Sequence, residues 1–122
     1  YVPVNNLFAV YRSQTLPRSQ DLMQGTGEVV ALDVASGRVK WDRRFRHGMY
    51  GGATVTNDLV FTTTYEGRVW ALDRKTGRIV WNAQLPAGSI APVAITGDTI
   101  LSAGGIRTRK GQRLALTAFR LG

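Results

Sequence analysis

Arginine is the residue type in this chain best suited to chemistry. Thirteen arginines and three lysines stand against eight acidic residues, giving a formal net charge of +8. They gather in two runs, Arg43, Arg44 and Arg46 followed by His47, and Arg107, Arg109, Lys110 and Arg113, with Arg12 and Arg18 upstream. A guanidinium presents a planar fork that holds carboxylates and phosphates bidentately, so such runs suit an acidic partner. That partner would be a polyanionic small molecule, an anionic surface or nucleic acid, although no nucleic-acid-binding module accompanies the charge. The bland alternative is a solvated basic surface. Other chemistry is poorly served. His47 is the one histidine, and beside three arginines it reads as a surface residue rather than a base. The chain has no cysteine, which excludes disulfides within it and any thiolate-bound metal. There is no Ser/His/Asp set, no pair of carboxylates in one connection and no metal-ligand spacing. Gly51-Gly52 and Gly104-Gly105 sit at strand ends and do not form phosphate loops.

The elements that must position these residues come from an internal repeat. Residues 27–41 (GEVVALDVASGRVKW) match residues 67–81 (GRVWALDRKTGRIVW) at eight of fifteen positions, at a constant offset of forty. Ser36/Thr76 and Val39/Ile79 are conservative swaps, and the register persists through Gly48/Gly88, Thr56/Thr96, Asp58/Asp98 and Val60/Ile100. Within the central unit, residues 53–56, 59–64, 68–72 and 78–85 are β-branched or alternating and are separated by Asn-Asp, Glu-Gly and Asp-to-Gly turns, which predicts four short strands. Four antiparallel strands per unit of about forty residues is the signature of a propeller blade. The expected fold is therefore all-β: about three four-stranded antiparallel blades, an incomplete segment of a larger β-propeller.

Within 1–122 the expected division is a partial blade over 1–46 with an insertion at 7–26, a complete blade over 47–86, and a last blade over 87–122 lacking its fourth strand. With Tyr1 at one end and Gly122 inside a strand-like run at the other, both ends read as cuts. No apolar run is long enough to span a membrane. Strands of a blade alternate in direction, so the second-to-third connection and the crossing to the next blade share one rim. The Asp33-to-Gly37 and Asp73-to-Gly77 turns occupy the other. On this reasoning Arg43, Arg44, Arg46, Arg107 and Arg109 lie together, opposite the Asp turns and on the rim of Asn5 and Tyr50.

The repeat cores resemble the quinoprotein (PQQ) propeller repeat, whose tryptophan-docking motif runs Ala-x-Asp-x-x-(Thr/Ser)-Gly-x-x-x-Trp. Ala31, Asp33, Ser36, Gly37 and Trp41 fill it once, and Ala71, Asp73, Thr76, Gly77 and Trp81 fill it again. The resemblance implies that Trp41 and Trp81 wedge, buried, against the neighbouring blade. At a third site, beginning at Ala118, Arg120 stands where the motif has Asp.

Over most of its length the chain is similar to the C-terminal part of PQQ-dependent alcohol dehydrogenases, which implies an eight-bladed ring. Tyr1-Val2-Pro3-Val4-Asn5-Asn6 resembles their Tyr-x-Pro-x-Asn segment, and Tyr50-Gly51-Gly52 their Trp-Gly-Gly segment, with Tyr50 replacing the Trp that lines the quinone. The resemblance makes Asn5, Tyr50 and Gly51 cofactor contacts. It makes the parent an extracytoplasmic oxidoreductase, periplasmic or extracellular, that oxidises an alcohol or sugar with PQQ and calcium. The calcium ligands and catalytic base would lie on earlier blades, so the segment alone would be inactive and would hold no cofactor tightly. The alternative is a non-catalytic propeller of the same repeat family, a scaffold or a sensor or interaction domain. The partners to expect are the remaining blades or a second copy through the C-terminal edge strand, and an anionic small molecule.

Overall fold

A computed structural model describes residues 1–7 and 22–120 of the chain. Most of the expected insertion at 7–26, with Arg12 and Arg18, lies outside the described residues. Three antiparallel sheets follow one another along the sequence. The first pairs β1 (Val2–Asn6), β2 (Thr26–Leu32) and β3 (Val39–Phe45) in that order. The second pairs β4 (Thr54–Val55), β5 (Leu59–Thr64), β6 (Arg68–Asp73) and β7 (Ile79–Gln84). The third pairs β8 (Ala94–Thr96), β9 (Thr99–Gly104) and β10 (Ala115–Arg120). The only helical turn among the described residues is a 3-10 turn at Leu22–Gln24. The fold is an all-β propeller segment.

Burial shows how the sheets stack. Alternate residues of a strand point to opposite faces, yet β5 is buried from Val60 to Thr64 without a break. Val60 packs with Val29, Phe45, Met49 and Leu72 between the first and second sheets. Its neighbour Phe61 packs with Val69, Ala71, Leu85, Val93 and Ile100 between the second and third. The second sheet is thus covered on both faces, and a core layer separates each neighbouring pair. The outer strands β3 and β7 alternate instead, with one flank open.

The repeat shows in fine geometry. Ala31 pairs with Trp41 and Ala71 with Trp81, each followed by a register shift at the next residue. The turns beyond are built alike. Asp33 Oδ1 accepts from the Ser36 N–H at 3.0 Å and its hydroxyl at 2.9 Å. Asp73 Oδ1 accepts from the Thr76 N–H at 2.8 Å and its hydroxyl at 2.7 Å. A short side chain that satisfies turn backbone is why Asp and Ser or Thr recur at this spacing.

Trp41 reaches across to the next repeat. Its indole N–H donates to the Arg74 carbonyl at 3.0 Å, and the ring lies against Gly77. Tyr1 packs on the same indole, with ring centroids 5.6 Å apart. Trp81, its counterpart, meets Phe119 edge-on at 5.3 Å. Both tryptophans are half-buried rather than buried, because each sits on the outermost strand of its sheet.

Two predictions follow from the Trp41 contacts and a third from the Asp turns. Trp41→Ala should lower stability by about 3–5 kcal/mol in a denaturant titration, and a loss under about 1 kcal/mol would contradict the contact's importance. Gly37 and Gly77 both hold a left-handed φ, 69° and 68°, so alanine is strained at either. Only at 77 would the new Cβ meet the indole, at 2.5 Å, whereas at 37 it meets nothing within 4 Å. Gly77→Ala should therefore cost about 1–3 kcal/mol more than Gly37→Ala, and equal losses would show that the indole moves aside freely. The third prediction concerns acid. The Ser36 N–H, then Lys40 and the Ser36 hydroxyl, hold the Asp33 carboxyl down at about 2, and the Thr76 hydroxyl and N–H lower Asp73 in the same direction. An unfolded aspartate titrates near 3.9. The Asp33 carboxylate therefore stabilises the fold fully above about pH 4, its contribution fading as pH falls through about 2, and Asp73 contributes with the same sign. Thermal melts across that window should show a flatter pH dependence for Asp33→Asn/Asp73→Asn than for the wild type. Parallel curves would mean the turns carry no such linkage.

Candidate functional site

The rim that carries the second-to-third connections is stapled by backbone hydrogen bonds between consecutive repeats. The Tyr65 N–H donates to the Gly48 carbonyl at 2.8 Å and the Ser89 N–H to the Tyr65 carbonyl at 3.3 Å. Gly88 and Ile106 bond each other both ways, at 2.7 and 3.0 Å. Hydroxyls add to this. Thr63 donates to the Ala91 carbonyl at 3.0 Å, and Thr54 to the Val93 carbonyl.

Asn5 and Tyr50 converge here, at Gly48. The Asn5 Nδ2 donates to the Met49 carbonyl at 2.8 Å, and its Oδ1 accepts the Met49 N–H. The side-chain amide thereby binds the Met49 backbone as a neighbouring strand would. A Cβ on Gly48 would lie 2.7 Å from the Asn5 Oδ1 and 2.9 Å from the Tyr50 ring, so only glycine fits between them. Tyr50 meets Tyr65 edge-on at 5.3 Å, and its hydroxyl is buried with no hydrogen-bond partner among the described residues. Burial pushes that phenol above its ordinary value, and the Tyr65 phenol adds to the shift. Gly51 lies apart from this pair. It packs on Thr63 and the Ala91 carbonyl, 2.6 and 2.8 Å from where its Cβ would stand.

The basic residues are arranged differently from the expectation. Arg44, Arg46, Arg107, Arg109, Lys110 and Arg113 do fall on the connection rim, with the ends of β3 and β9. Arg43 does not join them. It alternates in phase with Trp41 and Phe45, toward the second sheet, and its Nε donates to the Gly77 carbonyl on the Asp-turn rim at 2.9 Å. That rim also holds Arg38, Lys40, Arg74, Lys75, Arg78 and Arg120. Cations therefore occupy both rims, and it is the acids that are uneven. Asp33, Asp58, Asp73 and Asp98 all lie on the Asp-turn rim, where Lys40 pairs with Asp33 at 3.1 Å and Arg120 with Asp98 at 2.8 Å. The connection rim has Glu28, 3.9 Å from Arg44, and Glu66. His47 is structural. Its Nδ1 lies 3.1 Å from the Met23 carbonyl, which can only accept, so Nδ1 carries the proton and ties down the 3-10 turn.

Sequence reasoning missed one concavity. A groove of about 800 Å³ opens on the Asp-turn rim between Tyr1, Leu32, Asp33, Lys40, Trp41 and Arg74. Its signal was the Trp-to-Gly spacing across successive repeats, which brings two turns side by side. Among the described residues no three His, Cys, Asp or Glu side chains converge to hold a metal ion, and no helix is long and apolar enough to cross a membrane.

Known proteins of two kinds share this architecture. Quinohemoprotein alcohol dehydrogenase from Comamonas testosteroni superposes with a TM-score of 0.65 at 21% identity, over 86% of this chain and 17% of that one. A europium-containing methanol dehydrogenase gives 0.62 at 22% identity, over 86% and 22%. BamB from Moraxella catarrhalis gives 0.57 at 22% identity, over 85% and 33%. The chain thus spans a third or less of each of these structures, and at such identities they speak to the fold alone. No curated protein sequence matches the chain. The family model described as outer membrane protein assembly factor BamB matches residues 10–120. With that match covering nearly the whole length, and with sheets repeating as a propeller requires, the chain belongs to the BamB-type family of PQQ-like propeller repeats.

Proposed function

We propose that this chain is part of a non-catalytic binding propeller, a scaffold in outer-membrane protein assembly that works outside the cytoplasm. The observation that carries this reading is the Asn5 amide. Its donor and acceptor are both engaged by the Met49 backbone, so the residue with the best claim to a quinone contact acts as a clamp between repeats. Gly51 serves the same end against the Ala91 carbonyl. Trp41 and Trp81 act as the docking residues of their repeats.

One observation favours the second reading, a PQQ and calcium enzyme that oxidises an alcohol or sugar with Asn5, Tyr50 and Gly51 beside the cofactor. The Tyr50 hydroxyl is buried without a partner among the described residues, and a ligand's acceptor would satisfy it. Two measurements on the full-length protein separate the readings. Asn5→Ala should lower stability by about 1–3 kcal/mol, since it leaves the Met49 N–H and carbonyl unpaired. Calorimetric titration with PQQ and calcium should give no saturable heat. Saturable micromolar binding that Tyr50→Phe weakens would overturn the scaffold reading.

The partners we propose are further blades of the same ring, or a second copy where those are missing. Val69 on β6 is fully buried by the third sheet, whereas Leu116, its equivalent on β10, is 69% exposed. β10 also pairs with β9 alone among the described strands, which leaves an edge that can template another strand. The 122-residue segment expressed by itself should therefore self-associate in light scattering, and Leu116→Lys should shift it toward monomer. A monomer at high concentration without that substitution would contradict the proposal.

A further inference from the structure

We propose that the hairpin at residues 105–113 seats the protein on the surface of an anionic phospholipid bilayer. The segment carries Arg107, Arg109, Lys110 and Arg113, all exposed, and no acidic residue. It is also braced. The Gln112 side-chain oxygen accepts the Thr108 N–H at 2.8 Å, the Arg109 N–H at 3.0 Å and the Thr108 hydroxyl at 3.2 Å. Arg107 Nε donates to the Gln112 carbonyl at 3.2 Å, and the Gly88–Ile106 bonds fix the base to the segment that enters this blade. Arg109, Lys110 and Arg113 make no ion pair among the described residues. The loop therefore holds three uncompensated cations on a pre-ordered tip, and an anionic surface meets them without first ordering a flexible segment.

The surroundings select the kind of anion. The groove of about 800 Å³ lies on the opposite rim, away from this hairpin. Residues 105–113 include no aromatic side chain on which a nucleobase could stack, and the described residues offer no α-helix to enter a groove of duplex DNA. Leu114, at the base of the loop, is 48% exposed beside Arg113. Clustered cations with an adjoining apolar side chain suit the headgroup region of a charged bilayer, where each Lys or Arg strengthens binding severalfold. The inference stands apart from the scaffold reading, because it uses none of the residues at Asn5 and Tyr50.

The test is co-sedimentation of the full-length protein with vesicles of phosphatidylcholine, alone or with about one third phosphatidylglycerol. Binding should require the phosphatidylglycerol and fall steeply with added salt. Arg109→Ala/Lys110→Ala/Arg113→Ala should weaken it about a hundredfold, from roughly a fivefold loss per cation. The control Arg38→Ala/Lys75→Ala/Arg78→Ala removes the same charge from the other rim and should leave binding within about threefold. Equal loss in the two variants would reduce the effect to net charge and overturn the assignment. So would an absence of vesicle binding, whether or not the wild type binds duplex DNA or an acidic polypeptide in the same buffer.

Discussion

Both faces of β5 are buried from Val60 to Thr64 and β6 is buried over Val69, Ala71 and Leu72, and this constraint governs the rest of the molecule. A sheet whose alternate residues are apolar in both directions needs a neighbour on each side. The second sheet obtains both from its own chain, through the layers around Val29 and Phe45 and around Val93 and Ile100. The crossing segments must then be short and fixed, and the Gly48–Tyr65 and Gly88–Ile106 bonds fix them. Thr62, Thr63 and Thr64 belong to the same solution, since β-branched residues suit a strand and two of the three hydroxyls find partners inside it.

The two rims follow from this stacking but differ in chemical character. On one, Asp33 and Asp73 close their own turns and Asp33 and Asp98 pair with cations, so much of the charge is matched locally. On the other, acids are scarce and cations stand on loops. The basic excess therefore has direction because carboxylates are withheld from one side, while arginines are supplied to both. Function on the connection rim also competes with architecture. Asn5, Gly48 and Gly51 are each committed to a neighbouring backbone atom, of Met49, Tyr65 and Ala91 respectively.

The sequence made the fold legible because a forty-residue register is a direct statement of equal units. The Asp33 and Asp73 turns were legible for a similar reason: Asp, Ser or Thr, and Gly at fixed offsets have one shared local geometry. Arg43 was misplaced because rim assignment by position in a strand ignores the reach of a long side chain and the face it leaves from. The Asn5 clamp left no signal, since an amide that imitates strand backbone has no spacing of its own. The burial of Trp41 and Trp81 was overstated because the motif specifies a contact and says nothing of the open flank. The acid imbalance, by contrast, was already present at positions 33, 58, 73 and 98, and needed only to be set beside the arginines.

The Trp41–Gly77 contact has a consequence for how such a chain grows. At this joint one repeat supplies the indole and the next the carbonyl and glycine, and the second unit, with both Gly77 and Trp81, carries the residue types of both halves within about forty residues. A tandem duplication of that unit arrives with a matching plug and socket, and no compensating change is required in its neighbours. The joint is also polar, because Trp41 faces the repeat that follows it, so copies joined in this way would add in one orientation. Arg120, standing where the motif has Asp and bonded to Asp98, marks a unit that has begun to diverge from this interchangeable pattern.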